Sequence, residues 1–350
     1  MADVIKSFRP CVAWANAGGA WPDMIFSTRV RFARNIEGFN FPGHAEPRQL
    51  EEVRRLAFAA VRGSGLFPRG HYFKLEALDQ VERRFLVERH HVSHALATSA
   101  LPTGAAVSND EDLSVMINEE DHLRLQCLRS GFAIDEAFGS ALKLDEALGR
   151  ALPLAYGVKF GFLTACPTNV GTGMRVSCLA HLPALSRLGR MPQVLESLSH
   201  LGVTARGIYG EGTYVLGDFY QISNATCLGR SEEEFCRNMD TVIRNLIRQE
   251  ITAREELLAG PMRIRTEDSV FRALGLLKYA RSLSYEEFMQ NVSLARMGAA
   301  MGLGIEVDFS AFNQITLLMQ PAHIQAAAGR PLAPEARDVF RADYLRKNLG

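Results

Sequence analysis

The chemistry-bearing residues of this chain begin with Arg29 and Arg31 in the run Ser27-Thr28-Arg29-Val30-Arg31, with Arg34 just beyond. On a strand, side chains alternate, so these two guanidinium groups share a face. Such a face is costly without anions, and the run predicts either a phosphate or carboxylate site or an exposed strand paired with surface carboxylates. Next comes Asn118-Glu119-Glu120-Asp121-His122-Leu123-Arg124 at a strand-to-strand transition. Three adjacent carboxylates repel one another, which points to Mg²⁺, a guanidinium or an arginine-lined site nearby, or to an acidic surface turn. A third segment, Cys166-Pro-Thr-Asn-Val-Gly-Thr-Gly-Met-Arg-Val-Ser177, predicts a glycine-containing loop running into a helix that begins near Met174. Loop and helix N-terminus would offer backbone N–H groups to phosphate, with Arg175 as a forked donor. The segment is not a Walker A loop, for it lacks Gly-Lys-Ser/Thr. Cys166 is either a reactive thiol beside a cationic site or a small buried residue. Fourth, Arg206-Gly-Ile-Tyr-Gly-Glu211-Gly-Thr213 reads as a mobile glycine-rich turn between strands with one Arg and one Glu.

Elements must hold these groups together. Ser114–Asn118, Leu123–Cys127 and Gly212–Gly217 carry strand patterns. Helical spacing marks Pro47–Val61, Asp79–His90, Ile134–Leu152, Met174–Leu188 and Ser231 to about Leu258, the last opening on a capping box. After Gly260-Pro261 the segments Ser269–Ala280, Ser284–Gly298 and Pro334–Leu349 are helical and strand signals nearly vanish. The expectation is an α+β protein with an antiparallel sheet flanked by helices over residues 1–258 and a helical C-terminal domain over 259–350. Gly171-Thr-Gly173 lacks the third glycine of a dinucleotide fingerprint.

Lys+Arg and Asp+Glu each number 39, so no overall field advertises a nucleic acid or an anionic membrane, and any charged partner must be met locally. Of the basic residues 33 are Arg and 6 Lys, a bias toward bidentate recognition of phosphate or carboxylate, or toward GC-rich coding. The six cysteines form no CxxC pair and no zinc-ligand spacing, and the N-terminus lacks an apolar export segment. These features predict a cytoplasmic protein that does not span a membrane.

In order and content, STRVR (27–31), NEEDHLR (118–124), CPTNVGTGMRVS (166–177), RGIYGEGT (206–213), QISNATCLG (221–229) and RDVFRA (337–342) resemble the phosphagen (guanidino) kinase family, most closely its bacterial protein-arginine kinase branch, the McsB type. The resemblance spans about Phe26 to Leu349 and implies the catalytic-domain fold of those kinases, which is glutamine-synthetase-like. It implies ATP and Mg²⁺ as cofactors, with Glu120 as the catalytic carboxylate and Glu211 as a second carboxylate at the substrate guanidinium. Nucleotide contacts would come from Ser27, Thr28, Arg29, Val30, Arg31, Arg124, Arg175, Val176, Ser177, Cys178, Leu179, Arg206, Gly207, Ile208, Tyr209 and Gly210. His90, with His91 as alternative, would lie near the adenine. No metal would be held by direct protein ligation, Glu119 and Asp121 standing outside the ion's own ligands. Small-molecule members carry an N-terminal helical domain, for which a chain that starts STRVR at Ser27 leaves little room. Val176 and Cys178 depart from the smaller or β-branched residues usual there, and Thr28 replaces a common Ser.

The chemistry suits those residues. A guanidinium has a pKa above about 12 and is a poor nucleophile while protonated, so carboxylates must orient it and accept its proton, while arginines and Mg²⁺ disperse charge on the transferring phosphoryl group. On a helix Arg337 and Arg341 stand i, i+4 and could grip a phosphate, with Asp338 at the guanidinium part of a phosphoarginine. The resemblance reads this as a regulatory pocket. It also implies protein substrates such as a heat-shock repressor and unfolded proteins, a Clp-type unfoldase–protease that takes the marked product in a stress response, a zinc-binding activator protein, and a homodimer. The competing expectations are a kinase of a free guanidino compound such as arginine, and a phosphoarginine-reading adaptor with little activity.

Overall fold

The computed structural model describes residues 3–207, 215–306 and 308–349. Strands run at β1 Ile25–Arg34, β2 His71–Lys74, β3 Gly104–Val107, β4 Leu113–Ile117, β5 Leu123–Ser130, β6 Tyr156–Gly157, β7 Gly161–Phe162, β8 Met174–His181, β9 Val203–Arg206 and β10 Phe219–Asn224. Among the described residues, eight of them form one sheet in the order β2-β3-β4-β5-β1-β8-β10-β9, every pair antiparallel, and β6 pairs with β7 as a separate hairpin.

Alternation sorts the sheet's two faces. Val30, Phe32, Val115, Leu125, Cys127, Val176, Cys178 and Ile222 point to one side, into a core closed by the helices Pro47–Gly63, Ile134–Ala151 and Glu232–Leu257. Local sequence starts these helices: the Glu46/Gln49 and Ser231/Glu234 pairs cap reciprocally, and Pro47 supplies the fixed φ of a first turn. On the opposite face Phe26, Leu128, Leu179 and Phe219 join Val12 and Trp14 and the helices Tyr285–Ala300, Phe309–Leu318 and Pro334–Leu349 in a second core. That core draws on both sides of residue 258. It ties the ends of the chain together: the Val12 amide donates to Gln314 Oε1 at 3.0 Å, and Gln314 Nε2 donates back to Val12 O at 2.9 Å. Among the described residues no helix is long and apolar enough to cross a membrane.

Two expectations fail. The segment read as a helix over Met174–Leu188 is the strand β8 followed by the short helix Pro183–Arg187. Leu179, Leu182, Leu185 and Leu188 recur every third residue and mimic a helix, but Met174, Val176, Cys178 and Ala180 alternate into the core from a central strand. The loop before it therefore leads into a strand, and no helix N-terminus faces phosphate there. The strand expected over Gly212–Gly217 falls partly on residues 212–214, outside the described residues, and Val215–Gly217 lie in no strand.

Candidate active site

The second face of the sheet is open at its middle, where a cavity of about 620 Å³ is lined by Arg29 and Arg31 of β1, Arg124 of β5, Arg175 of β8 and Arg206 of β9. The strand register gathers them. Arg31 stands directly opposite Arg175 on β8, and Arg124 pairs with Ala33, one side-chain repeat along the same face. Like charges directly opposite on a sheet destabilise it, so this clustering has to be met by an anion. Burial, then the fields of Arg124 and Arg175, push the Arg29 guanidinium down to about 10. Arg31 is held well below the ordinary arginine value by burial, then by Arg29, Arg124 and Arg175. Arg175 is lowered too, first by burial. Arg29 Nε is buried without a hydrogen-bond partner among the described residues. Guanidinium groups stay protonated in proteins, so the cluster offers charged, forked donors, a set that fits a polyphosphate.

The carboxylates face them from the β4–β5 turn. Arg124 Nη1 meets Glu119 Oε2 at 2.6 Å and Nη2 meets Glu120 Oε2 at 3.0 Å. Glu119 is nearly buried, whereas the Glu120 side chain is 44% exposed and lines the open cavity. Asp121 is not at the cavity: fully buried, it accepts from Asn35 Nδ2 and the Ala165 amide, both at 2.7 Å. Among the described residues no group of three or more His, Cys, Asp or Glu side chains could hold a metal ion.

His90 lines the cavity and His91 does not. His90 sits at φ +61°, its carbonyl accepts from Gln126 Nε2 at 2.5 Å, and its ring meets Trp14 edge-on at 5.4 Å. Burial, then Arg29 and His91, push its imidazole down to about 3, so it is neutral. His91 turns away to Glu111 Oε2 at 2.9 Å, in a buried cluster with Arg89.

The glycine-containing loop shapes the rim. Gly171 at φ +112° passes so close to the next loop that a Cβ would stand 2.3 Å from Cys227 O, and Gly173 at φ +63° abuts Arg34. Arg34 holds this loop from the helix-covered face. Its Nε and Nη2 grip Asp145 at 2.8 and 2.7 Å, its Nη1 donates to Thr172 O at 2.9 Å, and its Cζ lies over the Phe162 ring, 3.4 Å from the ring centroid. Cys166 lines the cavity with its Sγ 3.1 Å from Thr168 Oγ1.

Of the expected nucleotide contacts, the structure brings Arg29, Arg31, His90, Arg124, Arg175 and Arg206 together with Glu120. Ser27, Thr28, Val30, Val176, Ser177, Cys178, Leu179 and Gly207 do not line the cavity. Thr28, Val30, Val176 and Cys178 face the helices by strand alternation, Thr28 Oγ1 donating to Gly131 O at 2.7 Å. Ile208, Tyr209, Gly210 and Glu211 lie outside the described residues. The reading by motif passed over Gln126, Gln221 and Ser223, which line the cavity or its wall and which period-two alternation from Arg124 and along β10 would have found. In the C-terminal helix Arg341 is buried, with Nε on Met319 O at 2.9 Å and Nη1 on Leu283 O and Asp338 at 2.6 and 2.7 Å, while Arg337 is half-buried. The two arginines of that motif are thus unequal: Arg341 is spent on backbone carbonyls, and Arg337 is the accessible one.

Known proteins resemble this chain along most of its length. Residues 52–253 match the family described as ATP:guanido phosphotransferase, C-terminal catalytic domain, and residues 263–350 match the protein-arginine kinase McsB C-terminal domain. The protein-arginine kinase of Symbiobacterium thermophilum is 41% identical over 339 residues, covering 96% of each chain. That of Geobacillus thermodenitrificans is 38% identical over 351 residues, covering 98% of this chain and 95% of its own. Among solved structures, a lombricine kinase aligns with a TM-score of 0.58 at 25% identity over 71% of this chain and 70% of its own. The duplicated taurocyamine kinase of Schistosoma mansoni aligns at 0.61 and 22% identity over 79% of this chain and 41% of its own, a likeness of fold. The two family models together match most of the chain, relatives about 40% identical match it nearly end to end, and the chain belongs to the protein-arginine kinase family.

Proposed function

We infer that this protein transfers the γ-phosphoryl group of ATP to arginine side chains of proteins. The observation that carries the reading is the convergence of five arginines and Glu120 on one cavity. Arg29, Arg31, Arg124, Arg175 and Arg206 would hold the phosphates and disperse charge as the phosphoryl group leaves. His90, neutral, would border the base. Glu120, the exposed carboxylate, would orient the acceptor guanidinium and take its proton, and Glu211 would support the same group. The cavity's own oxygen donors, Glu119 and Glu120, are paired to Arg124, which fits an Mg²⁺ carried in on the nucleotide rather than one caged by the protein. When bound, that ion neutralises the phosphate oxygens.

Arg337, with Asp338 beside it and Arg341 beneath, would bind phosphoarginine and regulate the enzyme. The family resemblance supplies the rest of the setting: a cytoplasmic homodimer that marks unfolded proteins and a heat-shock repressor for a Clp-type protease, with a zinc-binding activator. The test is incubation with Mg-ATP and either an unfolded arginine-bearing protein or free arginine, followed by phosphorus NMR for acid-labile N–P bonds. Label on the protein alone is the expected result; label on free arginine would turn the reading toward a small-molecule kinase, and none at all toward an adaptor. Glu120→Gln should keep nucleotide binding and lose at least about 10²-fold in transfer. Near-full turnover would remove Glu120 from the proton-accepting role.

A further inference from the structure

We propose that Asn35 and Asp121 are positioning residues that set where the Glu120 carboxylate stands against the opposite cavity wall; this rests on the reading of Glu120 as proton acceptor. Neither residue lines the cavity, and both are buried, Asn35 at 1% exposure and Asp121 at 0%. Asn35 follows the last residue of β1 and spends its side chain on two other segments. Its Nδ2 donates to Asp121 Oδ1 at 2.7 Å and to Leu163 O at 3.0 Å, and its Oδ1 accepts from the His122 amide at 2.9 Å. Asp121 Oδ1 accepts a second N–H, from Ala165 at 2.7 Å, one residue before Cys166 on the cavity wall. One carboxylate oxygen therefore joins the residue after Glu120 to the residue before Cys166.

The rest of the turn is gripped as firmly. His122 accepts from the Ile36 amide through Nδ1 at 3.0 Å and contacts Asn40 O through Nε2 at 2.8 Å. A ring that accepts at Nδ1 carries its proton on Nε2, which then donates to Asn40 O. On the other side of the glutamates Asn118, at φ +59°, donates through Nδ2 to Leu50 O and Pro102 O at 2.7 and 2.8 Å. Between these anchors stand Glu119 and Glu120, and among the described residues Arg124 is the hydrogen-bond partner of the Glu120 side chain. A displacement of about 1 Å in such a group costs about 10²-fold in rate, so the anchors carry the geometry of proton transfer without touching substrate.

The experiment compares full-length Asn35→Ala, Asp121→Ala and Asp121→Asn with the parent, each alone and with Glu120→Gln. Readouts are kcat on an unfolded arginine-bearing protein, the KM for ATP, and affinity for a fluorescent ADP analogue, all per folded enzyme. Asp121 Oδ2 has no hydrogen-bond partner among the described residues, so Asp121→Asn can keep the accepting oxygen and break no bond. The two alanine variants should lose about 10–100-fold in kcat with nucleotide affinity held within about 3-fold, and Asp121→Asn should restore most of the rate. In the Glu120→Gln background the same changes should cost almost nothing further, because the group they position is gone. A parental kcat in Asn35→Ala, or an equal loss in both backgrounds, would overturn the proposal. Full turnover in Glu120→Gln alone would instead sink the reading of Glu120 beneath it.

Discussion

Glu88 offers the sharpest test of how the His90 side of the cavity is held. It ends the helix Gln80–Glu88, two residues before His90, and its side chain is 3% exposed. Its oxygens accept from the Ala322 amide at 2.9 and 3.0 Å, the His323 amide at 3.1 Å and His323 Nδ1 at 2.9 Å. It thus caps the helix Pro321–Ala328 from 234 residues away. The tautomer follows: Nδ1–H donates to the carboxylate, leaving Nε2 to accept from Arg89 Nε at 3.2 Å. Glu88→Ala leaves two amides and one imidazole N–H buried without acceptors. At about 1–3 kcal/mol each, shared rather than additive and partly offset by no longer burying a carboxylate, the expected loss is about 3–5 kcal/mol. Glu88→Gln keeps one accepting oxygen and should lose about half as much. The assay is amide hydrogen exchange of the peptide spanning 319–328 by mass spectrometry, which reads local opening even if unfolding is not two-state. Unchanged protection of that peptide in Glu88→Ala, or a larger loss in Glu88→Gln than in the alanine variant, would refute the reasoning.

Three further outcomes follow from the geometry. His90 is pushed down to about 3 while an unfolded histidine titrates near 6.5, so between these values the unfolded chain binds a proton that the folded one refuses and stability falls as pH drops. His90→Asn, which tolerates the left-handed backbone, should make stability between pH 6 and 4 shallower by about 1.4 kcal/mol per pH unit; equal slopes in denaturant titrations would contradict this. Arg34→Met strands Asp145 and should cost about 3–5 kcal/mol, much of it regained on adding Asp145→Leu, a comparison of melting temperatures that fails if the double variant is no better than the single. Gly171→Ala places a Cβ 2.3 Å from a backbone carbonyl at φ +112° and should cost at least about 2 kcal/mol in thermal unfolding.

Legibility in the sequence divides by the range of the interaction. The arginine face was readable because Arg29 and Arg31 are two apart on one strand, and alternation needs no partner. The capped helices were readable for the same reason, Ser231 and Glu234 being three apart. β8 misled because Leu179, on the side it shares with Arg175, Ser177 and His181, opens a run of leucines that continues past the strand and supplies a false period near three over the alternation of Met174, Val176, Cys178 and Ala180. The Asn35 bracket and the Glu88 cap left no local trace, since their partners lie 86 to 235 residues away and only the folded topology brings them together. Asp121 shows the limit most plainly: it adjoins Glu119 and Glu120 in sequence and reads as part of the same acidic group, yet the turn sends it to the opposite side.

The reciprocal bonds between Val12 and Gln314 set a timetable for synthesis. At roughly 5–20 residues per second a ribosome needs about 15–60 s to move from one partner to the other. Within that interval Trp14 and Phe26, and later Phe219, are made before the helices that cover them. The nascent chain therefore leaves the exit tunnel with its arginine-bearing strand β1 flanked by an uncovered apolar surface, and its last hundred residues act in effect as its own chaperone. A stop codon placed after residue 258 would yield a translation product that displays that surface permanently, and such a fragment should be bound by holdases and cleared rather than accumulate as an active half-enzyme.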